Sequence, residues 1–292
     1  FTHKPKTVAT TVNGPSASYT STHSYTYSTT SDALTKETLS VNGGTAVTTS
    51  SIAYDTLGYV KRVSANGGMF STAYTHDLHG WTTGITATRT TSTLPLLTQS
   101  LHYATGGGTP RYNGTLSGMD WYSGHENTGT LSHRYTYDSL GRLTRADYGT
   151  GNTFLQDDNV MSEIVTYDAN SNITSLRRTG RKNSGSGVID DLTYTYNGNQ
   201  LTRVDDTAPP LLYDGASEFR DDGMDTPADG VEYGYDGNGS LTYDTNRGVS
   251  LITYDNWGNP RYVQFSDGWL LEYTYSAGGE LLQKRTMSSY AV

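Results

Sequence analysis

The chain has 292 residues, no cysteine and a formal net charge of −9. The lack of cysteine excludes disulfides and cysteine-ligated metal sites, and the negative charge disfavours nucleic acid and anionic membranes as partners. No apolar run approaches the length of a helical membrane span, so the sequence predicts none.

A short tyrosine-containing segment recurs along the chain, and residues 1–19 lack it. We predict that 1–19 form an N-terminal arm or an edge strand. The copies are, in order, SYTYS (24–28, degenerate), AYDTLGYV (53–60), YTHDLHGW (74–81), YTYDSLGRL (135–143), VTYDANSNI (165–173), YTYNGNQL (194–201), YGYDGNGSL (233–241), ITYDNWGNP (252–260) and YTYSAGGEL (273–281). The closest copies are about 20 residues apart, which is typical of stacked supersecondary units.

Each copy predicts a β-hairpin. Two tyrosines separated by one residue lie on the same face of a strand, because side chains alternate with period two. The Asp or Asn that follows can accept a hydrogen bond from the backbone two residues later and open a turn. A Gly or Asn three residues later tolerates a positive φ, and an apolar residue then resumes the strand.

An isolated hairpin is marginally stable in water, so neighbouring hairpins must pair. The predicted fold is therefore all-β, with tandem hairpin repeats over 20–290 that form a long curved or spiral antiparallel sheet. Loop insertions are predicted near 104–130, 179–190 and 205–231. The residues predicted to define the repeat structurally are Tyr54, Asp55, Gly58, Asp77, Gly80, Trp81, Tyr135, Tyr137, Asp138, Gly141, Arg142, Tyr167, Asp168, Tyr194, Tyr196, Tyr233, Tyr235, Asp236, Gly239, Tyr254, Asp255, Gly258, Tyr273 and Tyr275.

The aromatic composition indicates how such a sheet gains buried area, since the chain has 24 Tyr and only 5 Phe. Tyr combines a large ring with a polar tip, so it suits a wall that is half wet. We expect most tyrosines to form cross-strand ladders. A wall of Tyr, Thr and Ser could also hold an unfolded polypeptide without packing tightly on it.

Several segments resemble metal-binding or carboxylate sites, but each is better explained as a turn or a loop. The turns that begin at Asp168 and Asp236 lack the Gly and Glu of a Ca²⁺ loop. His76 and His79 fall in a hairpin turn, where a structural role is expected. The acidic stretch 218–229 is expected to be a solvated loop, with adventitious cation binding as the alternative.

Two glycine-rich segments are predicted to be exposed loops. TGRKNSGSG (179–187) joins a basic pair to a flexible run, and GGGTP (106–110) lacks the Lys of a phosphate-binding loop. No Ser/His/Asp grouping has local support. We therefore predict no catalytic, cofactor-binding or metal-binding residues, no cofactor and no enzymatic activity.

The repeats resemble the YD repeats of Rhs proteins over roughly residues 20–290. Beyond the tyrosine–aspartate turn, YTHDLHGWTTGI (74–85), RYNGTLS (111–117) and LTYTYNGNQLT (192–202) are similar to sequences of that family. The resemblance implies a spiral β-sheet that closes as a hollow shell around a C-terminal toxin. A core motif and an unrelated C-terminal domain are not found after the repeats, so a wall segment is the expectation.

These observations predict a non-enzymatic wall segment of a shell that encapsulates or displays a toxin or effector polypeptide. The expected partner is a polypeptide cargo or another chain of the same parent protein, in a secreted or cell-surface bacterial setting. The alternative is an extracellular adhesin or carbohydrate-binding repeat protein, in which Trp81, Trp121, Trp257 or Trp269 stack on glycans. A filament-forming role through free sheet edges is a further alternative.

Overall fold

The computed structural model describes residues 4–106, 108–124, 129–151, 154–211, 217–221 and 230–288. Two compact units divide the chain. Unit 1 comprises 1–136 and 148–156, and unit 2 comprises 137–147 and 157–292. Within the described residues, regular structure consists of strands and two single 3-10 turns, Asn66–Gly68 and Thr245–Arg247.

Unit 1 is a meander of antiparallel strands in which each strand pairs with the next in sequence. Its strands are β1 (Thr7–Asn13), β2 (Ser18–Tyr27), β3 (Leu34–Val41), β4 (Val47–Tyr54), β5 (Val60–Ala65), β6 (Phe70–His76), β7 (Thr82–Arg89), β8 (Leu97–His102), β9 (Gly118–Ser123), β10 (Leu131–Tyr137), the end of β11 (Leu143–Thr150) and β12 (Leu155–Gln156).

Unit 2 contains the start of β11 and two further meanders. The first is β13 (Glu163–Tyr167), β14 (Ile173–Arg181), β15 (Ser186–Asn197) and β16 (Gln200–Asp206). The second is β17 (Tyr233–Tyr235), β18 (Leu241–Asp244), β19 (Val249–Tyr254), β20 (Pro260–Phe265), β21 (Trp269–Tyr275) and β22 (Leu281–Ser288). The prediction of an all-β chain of tandem antiparallel hairpins is confirmed.

A register shift recurs at the residue that precedes the turn, which is a tyrosine in most of these strands and His76 in β6. In β4 the register changes between Ala53 and Tyr54, and in β13 it changes between Thr166 and Tyr167. Equivalent shifts occur in β2, β6, β15, β17, β19 and β21. An irregularity of this kind redirects a side chain and increases the local twist. Period-two alternation alone does not predict it.

Burial differs between the first strands and the middle of the chain. From residue 4 to residue 116, no described residue is buried. Both faces of those strands are therefore partly exposed, as in a single-layer sheet. In unit 2, by contrast, Leu192, Val204 and Tyr233 form a buried cluster. Leu176, Tyr194, Leu201, Phe219, Tyr235 and Leu241 pack against this cluster.

Three predicted boundaries are refined by the structure. Residues 7–13 form an edge strand, β1, paired with β2. The insertion near 104–130 contains the strand β9. The prediction of a loop over 179–187 is wrong, because β14 and β15 remain paired as far as Arg181 and Ser186. The connection needs only four residues, and Gly185 supplies the positive φ of 75° that this tight turn requires.

Candidate functional site

The repeat turn is built around one carboxylate. The Asp138 Oδ1 atom accepts hydrogen bonds from the backbone N–H groups of Leu140 at 3.0 Å and Arg142 at 2.9 Å. The Asp138 N–H donates to the Arg142 carbonyl at 3.0 Å, which closes the hairpin. Gly141 has a φ of 83°. One side chain therefore satisfies two backbone donors and fixes the turn.

The same arrangement recurs in the other aspartate copies, at Asp55, Asp77, Asp168, Asp236 and Asp255. Ser276 substitutes for the aspartate in the last copy, since its hydroxyl accepts from the Gly278 and Glu280 N–H groups. In the copy at Asp168, the glycine position holds Ser171, with a φ of 71°. A side-chain acceptor is thus common to these turns.

In several copies, the tyrosine that precedes the turn residue links consecutive hairpins. The Tyr167 hydroxyl donates to the Leu143 carbonyl at 2.7 Å, just where the strand after the preceding turn begins. Tyr196 donates to Ile173 in the same way, at 2.8 Å. Tyr54 and Tyr254 make the equivalent bonds to Leu34 and Leu241. Tyr103, which does not precede a repeat turn, donates in a similar way to Thr82. In the copies at Tyr54, Tyr167, Tyr196 and Tyr254, the tyrosine therefore ties the turn to the hairpin before it.

Arg142 reinforces one such link. Its Nε donates to Asp138 Oδ2 at 2.6 Å, and its Nη1 donates to the Asp168 carbonyl at 2.9 Å. Its guanidinium carbon lies 4.6 Å from the centre of the Tyr167 ring. The hydrogen bond from the Arg142 backbone and the ion pair with its side chain lower the pKa of Asp138, although desolvation opposes them. The carboxylate that orders the turn is therefore held ionised.

Tyr167→Phe tests the link between turns. We expect the substitution to lower the free energy of unfolding by about 1 kcal/mol, because it leaves the Leu143 carbonyl without this donor while keeping the ring. Equilibrium unfolding in urea would measure the loss. Tyr19→Phe, at an exposed position in β2, is the matched control and should change stability by less than half as much. Equal losses in the two variants would contradict a specific role for the hydroxyl.

The face of unit 2 that carries Leu192 and Tyr194, the tyrosine-bearing face, also carries an ion pair that the sequence pattern did not predict. Asp190 has 0% exposure, and its Oδ2 accepts from the Arg178 Nε at 2.5 Å. Arg178 and Asp190 face each other in register, two residues from Leu176 and Leu192. The sequence signal for this pair is that Arg178 and Asp190 occupy strand positions that the period-two pattern assigns to the apolar face.

Part of the predicted acidic loop lies on this face. The Phe219 N–H donates to Asp190 Oδ1 at 2.5 Å, and the Arg178 Nη2 donates to the Ser217 carbonyl at 3.1 Å. The Leu211 N–H donates to Glu218 Oε2 at 2.5 Å. Residues 217–221 are thus anchored, contrary to the expectation of a solvated loop. Residues 222–229 of the predicted acidic stretch lie outside the described residues.

Two carboxyl groups in unit 2 have raised pKa values. Burial raises the pKa of Glu232, although hydrogen bonds from the Val204 N–H at 2.9 Å and the Asn246 amide at 2.7 Å oppose the shift. Burial likewise raises the pKa of Asp206. A carboxyl with a raised folded-state pKa favours the folded protein when protonated, so stability is lost as the pH rises through that folded-state pKa.

Glu232→Gln tests the direction of this dependence of stability on pH. The amide oxygen can accept the same two hydrogen bonds without a buried charge. We expect the variant to melt at a higher temperature than the wild type at pH 7, and the two to converge as the pH approaches the unfolded-state value of 4.5. Thermal unfolding followed by circular dichroism at several pH values measures this. A difference in Tm that stays constant from pH 4 to pH 7 would contradict it.

A Ser, a His and an Asp meet in unit 1, but not as a nucleophilic triad. Both Ser132 Oγ and His102 Nε2 contact Asp120, each at 2.6 Å, and Arg134 is paired with the same carboxylate at 2.8 Å. A triad requires the serine to donate to the histidine. Here hydrogen bonds from Ser132, His102 and Arg134 overcome the opposing effect of burial and lower the pKa of Asp120. The arrangement can neutralise a half-buried carboxylate.

The two turn histidines make local contacts. His79 stacks on Trp81 with ring centres 4.7 Å apart, and its Nδ1 lies 3.3 Å from Asp77. His76 Nδ1 lies 3.9 Å from Asp55. Among the described residues, no group of three or more His, Cys, Asp or Glu is placed to hold a metal ion. Metal ligation by these histidines has no geometric support.

The four tryptophans differ in accessibility. Trp81 is covered by His79 and by Tyr103, whose ring centre is 5.0 Å away. Trp121 contacts the rings of His133 and Tyr148. Trp269 is half exposed, and Trp257 is 85% exposed at the tip of a repeat turn. Of these, Trp257 offers the most open surface for stacking.

Comparisons with solved structures find the same fold in Tc toxins. The chain is similar to part of a chain in the Photorhabdus luminescens Tc holotoxin pore carrying the TccC3-D651A mutation, at 17% identity and a TM-score of 0.61, covering 90% of this chain and 12% of that one. It is also similar to part of TcdB2-TccC3 without its hypervariable C-terminal region, at 16% identity and a TM-score of 0.50, covering 92% of this chain and 14% of that one.

The chain therefore spans about an eighth of the length of these structural relatives. No family model and no curated protein matches the sequence. The resemblance to YD-repeat proteins is confirmed at the level of fold by the similarity to these toxin structures. No helix within the described ranges is long and apolar enough to cross a membrane.

Proposed function

We propose that the chain is a non-enzymatic wall segment of a YD-repeat shell that encloses or displays a toxin or effector polypeptide. The observation that carries this proposal is the single-layer hairpin sheet of residues 4–116, in which no described residue is buried. A sheet without a second layer leaves surface for other polypeptide to contact. The fold shared with part of the Tc holotoxin supports the same function.

The partner in this proposal is a polypeptide, either cargo or another part of the parent protein. The similar structures contain more than one named component, as in the TcdB2-TccC3 assembly. Half-exposed Tyr, Thr and Ser side chains can contact an unfolded chain through rings and hydroxyls without requiring a fixed complementary shape. A secreted or cell-surface bacterial setting follows from the proposed role in a toxin complex.

Native mass spectrometry of the protein purified from its source tests the proposal. We expect a species heavier than the 31.7 kDa chain that releases a second polypeptide only on denaturation. Recovery of the 31.7 kDa chain alone, under conditions that preserve known non-covalent assemblies, would overturn the proposal. A denatured and refolded sample is the control, because refolding without the partner should yield the lone chain.

A carbohydrate-binding function is the second candidate, and the exposure of Trp257 favours it. An exposed indole at a turn tip can stack on a sugar ring. Binding on a glycan array that is lost in Trp257→Ala and retained in Trp81→Phe would support this candidate. Absence of binding to any glycan on the array, together with a co-purifying polypeptide, would favour the wall segment.

A further inference from the structure

An open cleft borders Phe219 on the tyrosine-bearing face of unit 2. Its volume of about 680 Å³ is large enough for an aromatic side chain. Tyr194, Leu201, Val204, Tyr233, Tyr235 and Leu241 supply its apolar lining. Asp244, Asn246 and Arg247 lie at its polar border.

The volume of 680 Å³ lies within the range of about 300–1,000 Å³ that is usual for ligand-binding clefts. The size and the apolar lining of the cleft are the two properties on which the following inference depends.

Residues 217–221 already occupy one side of this face in the manner of a bound peptide. The Phe219 ring packs against the cluster of Leu192, Val204 and Tyr233. The Phe219 N–H is held by Asp190, and the Ser217 carbonyl is held by Arg178. The ion pair thus offers one acceptor and one donor to the backbone of residues 217–219, while the tyrosine-bearing face receives the aromatic side chain.

We propose that the cleft beside Phe219 binds an apolar or aromatic side chain of an extended, non-native polypeptide. Residues 217–221 act as an internal ligand that fills the adjacent half of the same surface. The cleft border carries Glu218 and Asp244 as well as Arg220 and Arg247, so it has no strong preference of charge. Burial of an apolar side chain supplies the affinity. This inference rests on the proposed function, because it identifies where the wall would contact its polypeptide.

Site-specific photo-crosslinking tests the position of the cleft. A benzoylphenylalanine residue replaces Arg220, which is exposed and lines the cleft, and in a second variant replaces the exposed Arg261 in β20. The probe is a Gly/Ser peptide with a single central Phe, and the same peptide with Ala is the control. We expect crosslinks from position 220 to the Phe peptide, and few from position 261 or to the Ala peptide.

Phe219→Ala provides an independent measurement. Removal of the internal ligand vacates the neighbouring half of the surface, so the Phe peptide should bind about tenfold more tightly, by fluorescence anisotropy, than it binds the wild type. The affinity for the Ala peptide should not change. Circular dichroism checks that the variant is folded, and the crosslinking measurement does not depend on this variant.

Equal crosslinking from positions 220 and 261, or equal crosslinking to the Phe and Ala peptides, would overturn the proposed cleft. Either result would leave the wall function intact if a second polypeptide is released from the native protein. Conversely, specific crosslinking at position 220 in a protein that carries no second polypeptide would support the cleft and contradict the wall function.

Discussion

Asp190→Ala is expected to lower the free energy of unfolding by about 2–3 kcal/mol, because it removes the buried acceptor of the Arg178 hydrogen bond, whereas the Arg178 side chain itself is 30% exposed to solvent. Asp190 has 0% exposure and also accepts the Phe219 N–H, so the substitution removes the acceptor for a second donor. Both effects act on the same buried site. Guanidinium unfolding followed by circular dichroism measures the loss.

The neighbouring pair provides a matched control. Asp191 pairs with Arg177 at 2.9 Å on the other face of the same two strands, but both side chains are more than two-fifths exposed. Asp191→Ala should therefore cost about 0–1 kcal/mol, as is usual for exposed ion pairs. Similar losses in the two variants would show that the buried pair has no special role. A double variant, Arg178→Met with Asp190→Leu, should recover part of the loss, since it removes both charges together.

Leu192→Ala is expected to lower the free energy of unfolding by about 3 kcal/mol, because Leu192 is only 3% exposed and packs at the centre of the unit 2 cluster. The lost stability combines the transfer of the side chain with the cavity that remains. Leu39→Ala in β3 of unit 1 removes the same atoms from a half-buried position, and should cost about 1 kcal/mol.

Hydrogen–deuterium exchange separates the two responses. Leu192→Ala should increase exchange in β14–β16, whereas Leu39→Ala should increase it only in β2–β4. Equal global losses from both substitutions would contradict the contrast between a single-layer sheet and a buried cluster. The exchange rates would also show which strands resist local opening.

Much of the repeat could be predicted from sequence because its determinants are local. An Asp that caps the backbone two and four residues later fixes a turn within a five-residue segment, as at Asp138 and Asp255. Alternation then places Tyr194 and Tyr196 on one face. These properties need no knowledge of distant residues. The all-β fold and the hairpins at the tyrosine-containing turns followed from them.

The remaining features depend on contacts between segments distant in sequence. The register shift before each turn directs a tyrosine hydroxyl to a carbonyl more than ten residues earlier, as from Tyr167 to Leu143. The return of Phe219 to Asp190 joins residues 29 positions apart. Composition made 179–187 look like a loop, but strand pairing overrides the flexibility of its glycines.

The sequence determined the class of fold and the turns of this protein, because an aspartate cap and a period-two pattern act over a few residues. The tertiary structure decided where side chains become buried and where residues 217–221 attach. Burial is a property of the assembled sheet, so Asp190 becomes fully buried and pairs with Arg178 only when β14 and β15 are paired and residues 217–221 lie against them.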